Sequence, residues 1–173
     1  MDKRKIANQK VKDNLLEALT ELSQNKKWSD ITITELVNKS GVARSSFYRN
    51  FISIEDIIDY GITQMVEKYN KEKPTPDENF HNKELILFKF RFYKKHANLV
   101  LTFHHAQAPQ NLLTVIDDFV IDAYGDMPSS CISKYELFYY SGAFYNIVIH
   151  WLENGAKESP EDMANEFIRI ANA

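Results

Sequence analysis

The chain has 173 residues, 44% of them hydrophobic and 26% charged, which suits one compact domain, or a small domain sharing a core with a larger one; no apolar run approaches the ~18 to 20 residues that a membrane span needs. Its formal charge of −3 is unevenly spread: residues 1–50 carry ten Lys and Arg against six Asp and Glu, net +4, leaving −7 on the remainder. A polyanion is therefore expected as partner of the first part only, the alternative being a solvated, charged first helix. The opening MDKRKIANQK has no apolar stretch behind its charges, and the lone Cys131 can form neither an intrachain disulfide framework nor a zinc site, so no signal peptide is expected and the chain should be cytoplasmic.

Helical periods then run almost throughout. Ala7, Val11, Leu15, Ala18 and Leu22 share one face at three- and four-residue spacing, predicting an amphipathic helix from about 5 to 24. In KKWSDITITELVNKSGVARSSFYRNF, Thr32 and Glu35 fit a capping box that starts a short helix near Ile33, and Gly41 suits the left-handed turn that stops it after Ser40. Val42 plugs the turn into the core. A second short helix is predicted from about Arg44 to Asn50, with Phe47 and Phe51 on its buried side and Arg44, Ser45, Tyr48 and Arg49 around the rest. Two short helices joined by a tight Gly-containing turn, the second polar on its outer face, read as a helix-turn-helix whose second helix can enter a major groove; a plain structural hairpin is the alternative. Arg44 can donate to guanine edges, and Tyr48 and Arg49 can reach phosphates.

The run ITITELVNKSGVARSSFYRNFISIEDII closely resembles the DNA-binding signature of TetR-family (TetR/AcrR) transcriptional regulators: a Thr-led helix, a Gly-Val turn and a Phe-Tyr-x-x-Phe segment leading into a Ser-capped long helix. By position, the resemblance implies that Val37, Gly41 and Val42 hold the turn and Phe47 and Phe51 the core. It implies a DNA face of Arg44, Ser45, Ser46, Tyr48 and Arg49, with Thr32 and Thr34 on the preceding helix. Lys3, Arg4 and Lys5, ahead of the first helix, are expected to act as a basic arm on phosphates or the minor groove. Two positions depart from the usual pattern: Ala43 stands where a Ser often caps the recognition helix, and Ile54 where a Lys often lies against phosphate.

Ser53 with Asp56 predicts the cap of a fourth helix running to about Lys71, and KEKPTPDEN reads as a loop. From His81 to His105 one continuous helix is expected, apolar on more than one side and hence central; Pro109 opens another to about Tyr124, closed by GDMPSS. A penultimate helix of roughly 132 to 153 places Tyr135, Phe138, Tyr139, Gly142, Asn146 and Ile149 on one face and ends at Asn154-Gly155. The last begins with Ser159 as cap and Pro160 at its first position, and bears Met163, Ala164, Phe167, Ile168 and Ala171 at helical spacing. In the resembled family the last two helices commonly form a four-helix bundle with a second subunit. The resemblance thus implies a homodimer through Phe138, Gly142, Ile149, Phe167 and Ile168, packing within one subunit being the alternative.

No catalytic constellation is legible: there is no phosphate-binding glycine loop and no nucleophile elbow, and Ser141-Gly142 reads as close helix packing. His104 and His105 are adjacent, so on a helix they should point about 100° apart and share no metal. Neither enzyme activity, metal nor cofactor is expected. The aromatic residues beyond residue 80 read as plain core; the family resemblance implies the alternative, an apolar cavity that admits an effector, for which Phe92, His96, Phe103, Tyr139 and Asn146 are candidates.

The expected architecture is all-α, with about nine helices: a helix-turn-helix DNA-binding domain over 1–52 and a helical effector-binding and dimerisation domain over 53–173. The expected function is that of a dimeric repressor on double-stranded DNA with a palindromic operator, released by a small, largely apolar effector. The alternative is a similar protein acting mainly as a protein-interaction module with little DNA contact.

Overall fold

The computed structural model describes residues 3–74, 82–106 and 133–171. Among them every regular element is helical: α1 (Lys3–Ser23), a 3-10 turn (Trp28–Asp30), α2 (Ile33–Ser40), α3 (Arg44–Asn50), α4 (Glu55–Glu72), α5 (Lys83–Lys95), α6 (Ala97–His105), α7 (Ser133–Glu153) and α8 (Pro160–Ala171). The helix expected from Pro109 to Tyr124 lies outside the described residues. None of the described helices is long and apolar enough to cross a membrane.

The short helices begin and end where local chemistry directs. The Thr32 hydroxyl accepts from the Glu35 backbone N–H at 3.3 Å while the Glu35 carboxylate accepts from the Thr32 N–H at 3.1 Å, a reciprocal cap at the start of α2. Gly41 ends α2 at φ 66°, a left-handed conformation that a Cβ would strain. Ser53 and Asp56 exchange the same kind of bonds at 3.1 and 3.4 Å ahead of α4. At the far end, α7 stops at Gly155, φ 81°, and Ser159 caps α8 by accepting from the Asp162 N–H at 3.0 Å.

The central helix departs from expectation. It breaks at His96, whose φ of −111° and ψ of 22° leave the helical region, so that α5 and α6 are separate rods. Neither Gly nor Pro lies at the break. The cause is tertiary: α5 lies along α8, whereas α6 must turn to lie along α1. Similarly, Lys3, Arg4 and Lys5 do not precede α1; they form its first turn, because nothing in those residues stops a helix.

One continuous apolar core runs from Leu15 and Leu19 of α1, through Phe47, Ile57 and Phe103, to Phe90, Phe144 and Phe167. Helix α1 joins its two ends, since it packs on α2 and α3 on one side and on α4 and α6 on another. At that crossing Gly61 of α4 leaves no room for a side chain: a Cβ there would stand 2.7 Å from Leu16 Cδ1 and 2.9 Å from Phe103 Cζ. Close by, the hydroxyls of Ser23 and Thr102 meet at 2.6 Å, tying the end of α1 to α6.

Candidate nucleic-acid interface

Phe47 locks α3 in place. Its ring is fully buried, with Phe51 (5% exposed) behind it, and Val42 closes the turn from α2. The opposite face of α3 is open and polar. Arg44 is the centre of that face: its Nη1 donates to Thr34 Oγ1 at 2.9 Å, its Nη2 donates to the Tyr48 hydroxyl at 3.3 Å, and its guanidinium lies 5.6 Å from the Tyr48 ring centroid. The Arg side chain is thus held across the turn by one residue of α2 and one of α3. Arg49 folds back along its own helix, donating from Nε to the Ser45 carbonyl at 3.2 Å and from Nη2 to Ser45 Oγ at 3.4 Å. Ser46 is half-buried and its carbonyl accepts from Asn50 Nδ2 at 2.8 Å. Thr34, Arg44, Ser45, Tyr48 and Arg49 therefore form one patch, whereas Thr32 is occupied by its cap. Ala43 provides no side-chain cap to α3.

Behind this patch the charges are paired. Lys26 Nζ reaches Glu35 at 2.6 Å and Lys39 reaches Glu21 at 2.6 Å. The hydrogen bond from Lys26, then that from Thr32, holds the Glu35 carboxyl down at about 2 from an ordinary 4.5. Lys12 sits over the rings of Phe51 and Tyr60, 5.6 and 5.4 Å from their centroids, and Tyr60 donates to Asp13. No short-range sequence pattern marks this bracing, because each of its pairs joins residues nine or more positions apart.

Of the residues expected to line an effector cavity, Phe92 and His96 touch, their ring centroids 4.7 Å apart. Phe92 and Phe103 are buried, Phe92 against Tyr69, Phe88 and His96 and Phe103 beneath Gly61. Tyr139 is 61% exposed on α7, and Asn146, also exposed, donates to the Gly142 carbonyl. His96 differs from the rest: its Nε2 is buried without a hydrogen-bond partner among the described residues, and burial holds its pKa below the usual imidazole value.

The stripes expected to face a second subunit divide in two. Phe167 and Ile149 are core residues of this subunit, Phe167 meeting Tyr140, Phe144 and Phe90 at ring-centroid distances of 4.9, 5.2 and 6.3 Å. Tyr135, Phe138 and Tyr139 point outward on α7, Ile170 is exposed on α8 and Ile168 is half-buried. Around Gly142 a Cβ would meet nothing within 4 Å, so the close packing expected at Ser141-Gly142 does not occur against the described residues.

The histidine pair lies at the contact of α6 with α7, and among the described residues no group of three or more His, Cys, Asp or Glu could hold a metal ion. At the end of α6 both rings turn toward α7, and the Nε2 atoms of His104 and His105 lie 3.9 and 3.6 Å from the same Glu153 oxygen.

Residues 80–173 match a TetR-type family described as "Transcriptional regulator C-terminal region". Among solved structures, a TetR transcriptional regulator from Streptococcus agalactiae 2603V is similar at TM-score 0.67 and 17% identity, covering 97% of each chain. The fatty acid degradation regulator FadR from Bacillus halodurans is similar at TM-score 0.65 and 14% identity, over 93% of this chain and 94% of that one. FadR from Bacillus subtilis, solved in complex with stearoyl-CoA, reaches TM-score 0.60 and 17% identity over 91% and 96%. A search of curated protein sequences finds no match.

Proposed function

The chain belongs to the TetR family of transcriptional regulators, and from that premise we propose that it is a homodimeric repressor whose two α3 helices read a palindromic operator. The observation that carries this reading is Arg44, braced by Thr34 and Tyr48 on the one open polar face of a helix whose other face is locked by Phe47. An arginine positioned in this way enters a groove with less side-chain freedom to lose, and a bidentate contact to guanine is its most specific use. The head is residues 1–52 and the remainder the effector-binding and dimerisation part. Two-fold symmetry then requires half-sites about one helical turn, ~34 to 36 Å, or a multiple apart.

Release comes from a small, largely apolar effector bound in the C-terminal part. The stearoyl-CoA held by the B. subtilis regulator of similar fold, the aromatic content beyond residue 80 and the orphaned His96 nitrogen support that reading. The effector acts only if it binds unequally to the DNA-fitting and non-fitting arrangements of the heads. The seam of α1 with α4 and α6 is the physical link between the two parts. Selection of bound sequences from random DNA tests the proposal: enrichment of one palindrome, with affinity falling as salt rises, is expected. Failure to enrich any sequence would instead favour a protein-interaction role.

A further inference from the structure

Lys89 and Tyr93 lie one turn apart on α5, a spacing that sets their side chains next to each other, and both turn toward α7. Lys89 Nζ is 5.7 Å from the ring centroid of Tyr140 and 5.4 Å from that of Phe144, and the Tyr93 ring is 5.9 Å from the same Phe144. Tyr140 and Phe144 are buried and Lys89 itself is half-buried, so the ammonium stands in apolar surroundings. Burial brings the Lys89 amine down to about 8 from an ordinary 10.5 and pushes the Tyr93 hydroxyl up to about 12 from 10.0. Among the described residues neither group has a hydrogen-bond partner or a counter-charge. Lys94 and Lys95 on the same helix differ, each reaching an oxygen, of Ala156 at 2.8 Å and of Glu72 at 3.4 Å. The two rings attract the Lys89 ammonium but leave its N–H groups without an oxygen.

We infer that Lys89 and Tyr93 together anchor the head of the effector, and that this head is a carboxylate carried on an apolar body. The inference rests on the effector reading above and narrows it from an apolar ligand to an amphiphilic acid. Two donors with no acceptor beside them select a group that only accepts, and an unpaired ammonium in apolar surroundings selects a negative one. A carboxylate meets both needs, since one oxygen takes an ammonium N–H and the other the phenol O–H, and bonds to a charged group of this kind are about twice as strong as neutral ones. One ammonium balances one charge. A phosphate dianion would leave its second charge desolvated and unpaired, so the carboxylate is the better fit. The rings of Tyr140 and Phe144 then flank the head and keep water from it, which strengthens the pairing.

The experiment uses the full chain without DNA and follows the fluorescence of dansylaminoundecanoate and of its methyl ester, which share one apolar body and differ only in the charge of the head. The acid should bind about tenfold tighter than the ester, or more. Lys89→Met should bring the acid down to the affinity of the ester with the helical circular dichroism unchanged. It should also raise the melting temperature of the ligand-free chain, because an unpaired charge is no longer held among rings. Tyr93→Phe keeps the ring and removes one donor, and should narrow the ratio of acid to ester without closing it. The inference is overturned if acid and ester bind alike, which leaves the apolar-effector reading standing, or if Lys89→Met binds the acid as the parent does. Binding of neither probe would overturn both.

Discussion

A Cβ on Gly61 would stand 2.9 Å from Cζ of Phe103 and 2.7 Å from Leu16 Cδ1, so the helix leaving the head, the first helix and the sixth meet where only glycine fits. Phe103 is fully buried and cannot swing out without opening the core. Gly61→Ala should therefore push α4 from α1 and α6 and destabilise the chain by about 1 to 3 kcal/mol, the usual cost of overpacking. Thermal denaturation measures the loss. An unchanged or raised melting temperature would show that the seam gives way freely.

Arg44→Ala should weaken operator binding by about 1 to 3 kcal/mol and relax base preference at one position per half-site. Tyr48→Phe removes the hydroxyl that accepts from Arg44 but leaves the ring beneath it; it should weaken all sequences alike. Competition binding at fixed salt separates the two, and equal base preference in Arg44→Ala and the parent would remove Arg44 from direct readout.

Deleting residues 1–5 removes a charged turn of α1, including Arg4 and Lys5, both exposed. If that turn lies along phosphate, the dependence of log affinity on log salt should flatten, since fewer counterions are released. An identical slope would assign the turn to solvent.

The dimer is best probed on the outward side of α7. Phe167→Glu would place a charge among Tyr140, Phe144 and Phe90 and should unfold the subunit, losing at least the ~3 to 5 kcal/mol typical of a deleted core Phe, so it says nothing about assembly. Tyr139→Glu alters an exposed position and should leave the helical fold intact while producing monomers in sedimentation. A folded dimer of Tyr139→Glu would move the interface elsewhere.

The cap of α2 carries an acid-sensitive element. Glu35 is held at about 2 in the fold against an ordinary 4.5. A depressed carboxyl contributes stability that is present above about 4.5 and lost as pH falls toward 2. Glu35→Gln should flatten the fall in melting temperature across that window and leave the neutral-pH fold in place. An unchanged acid profile would show that Lys26 and Thr32 hold the carboxylate no better than water does.

The chain by itself determined whatever depends on neighbours within a turn or two. The Thr32–Glu35 cap, the Ser53–Asp56 exchange and the Ser159–Asp162 cap are bonds between residues three apart, and the left-handed turn at Gly41 rests on one residue's own backbone; their residue types announce them. The division of α3 into a Phe47 side and an Arg44 side is equally local, because helical period alone separates them. Tertiary structure decided what depends on which helix lies opposite. Nothing in Lys94-Lys95-His96-Ala97 stops a helix, yet α5 and α6 part there because each follows a different neighbour. Phe167 and Tyr139 are both aromatic residues on amphipathic helices, and only the packing of α5 and α7 around α8 buries the first, while the second stays in solvent. The same holds for Gly61, where contact comes from residues 45 and 42 positions away, and for Glu153, which gathers its histidines from two helices. Periodicity tells which residues share a face, and only the neighbouring chain determines what that face meets.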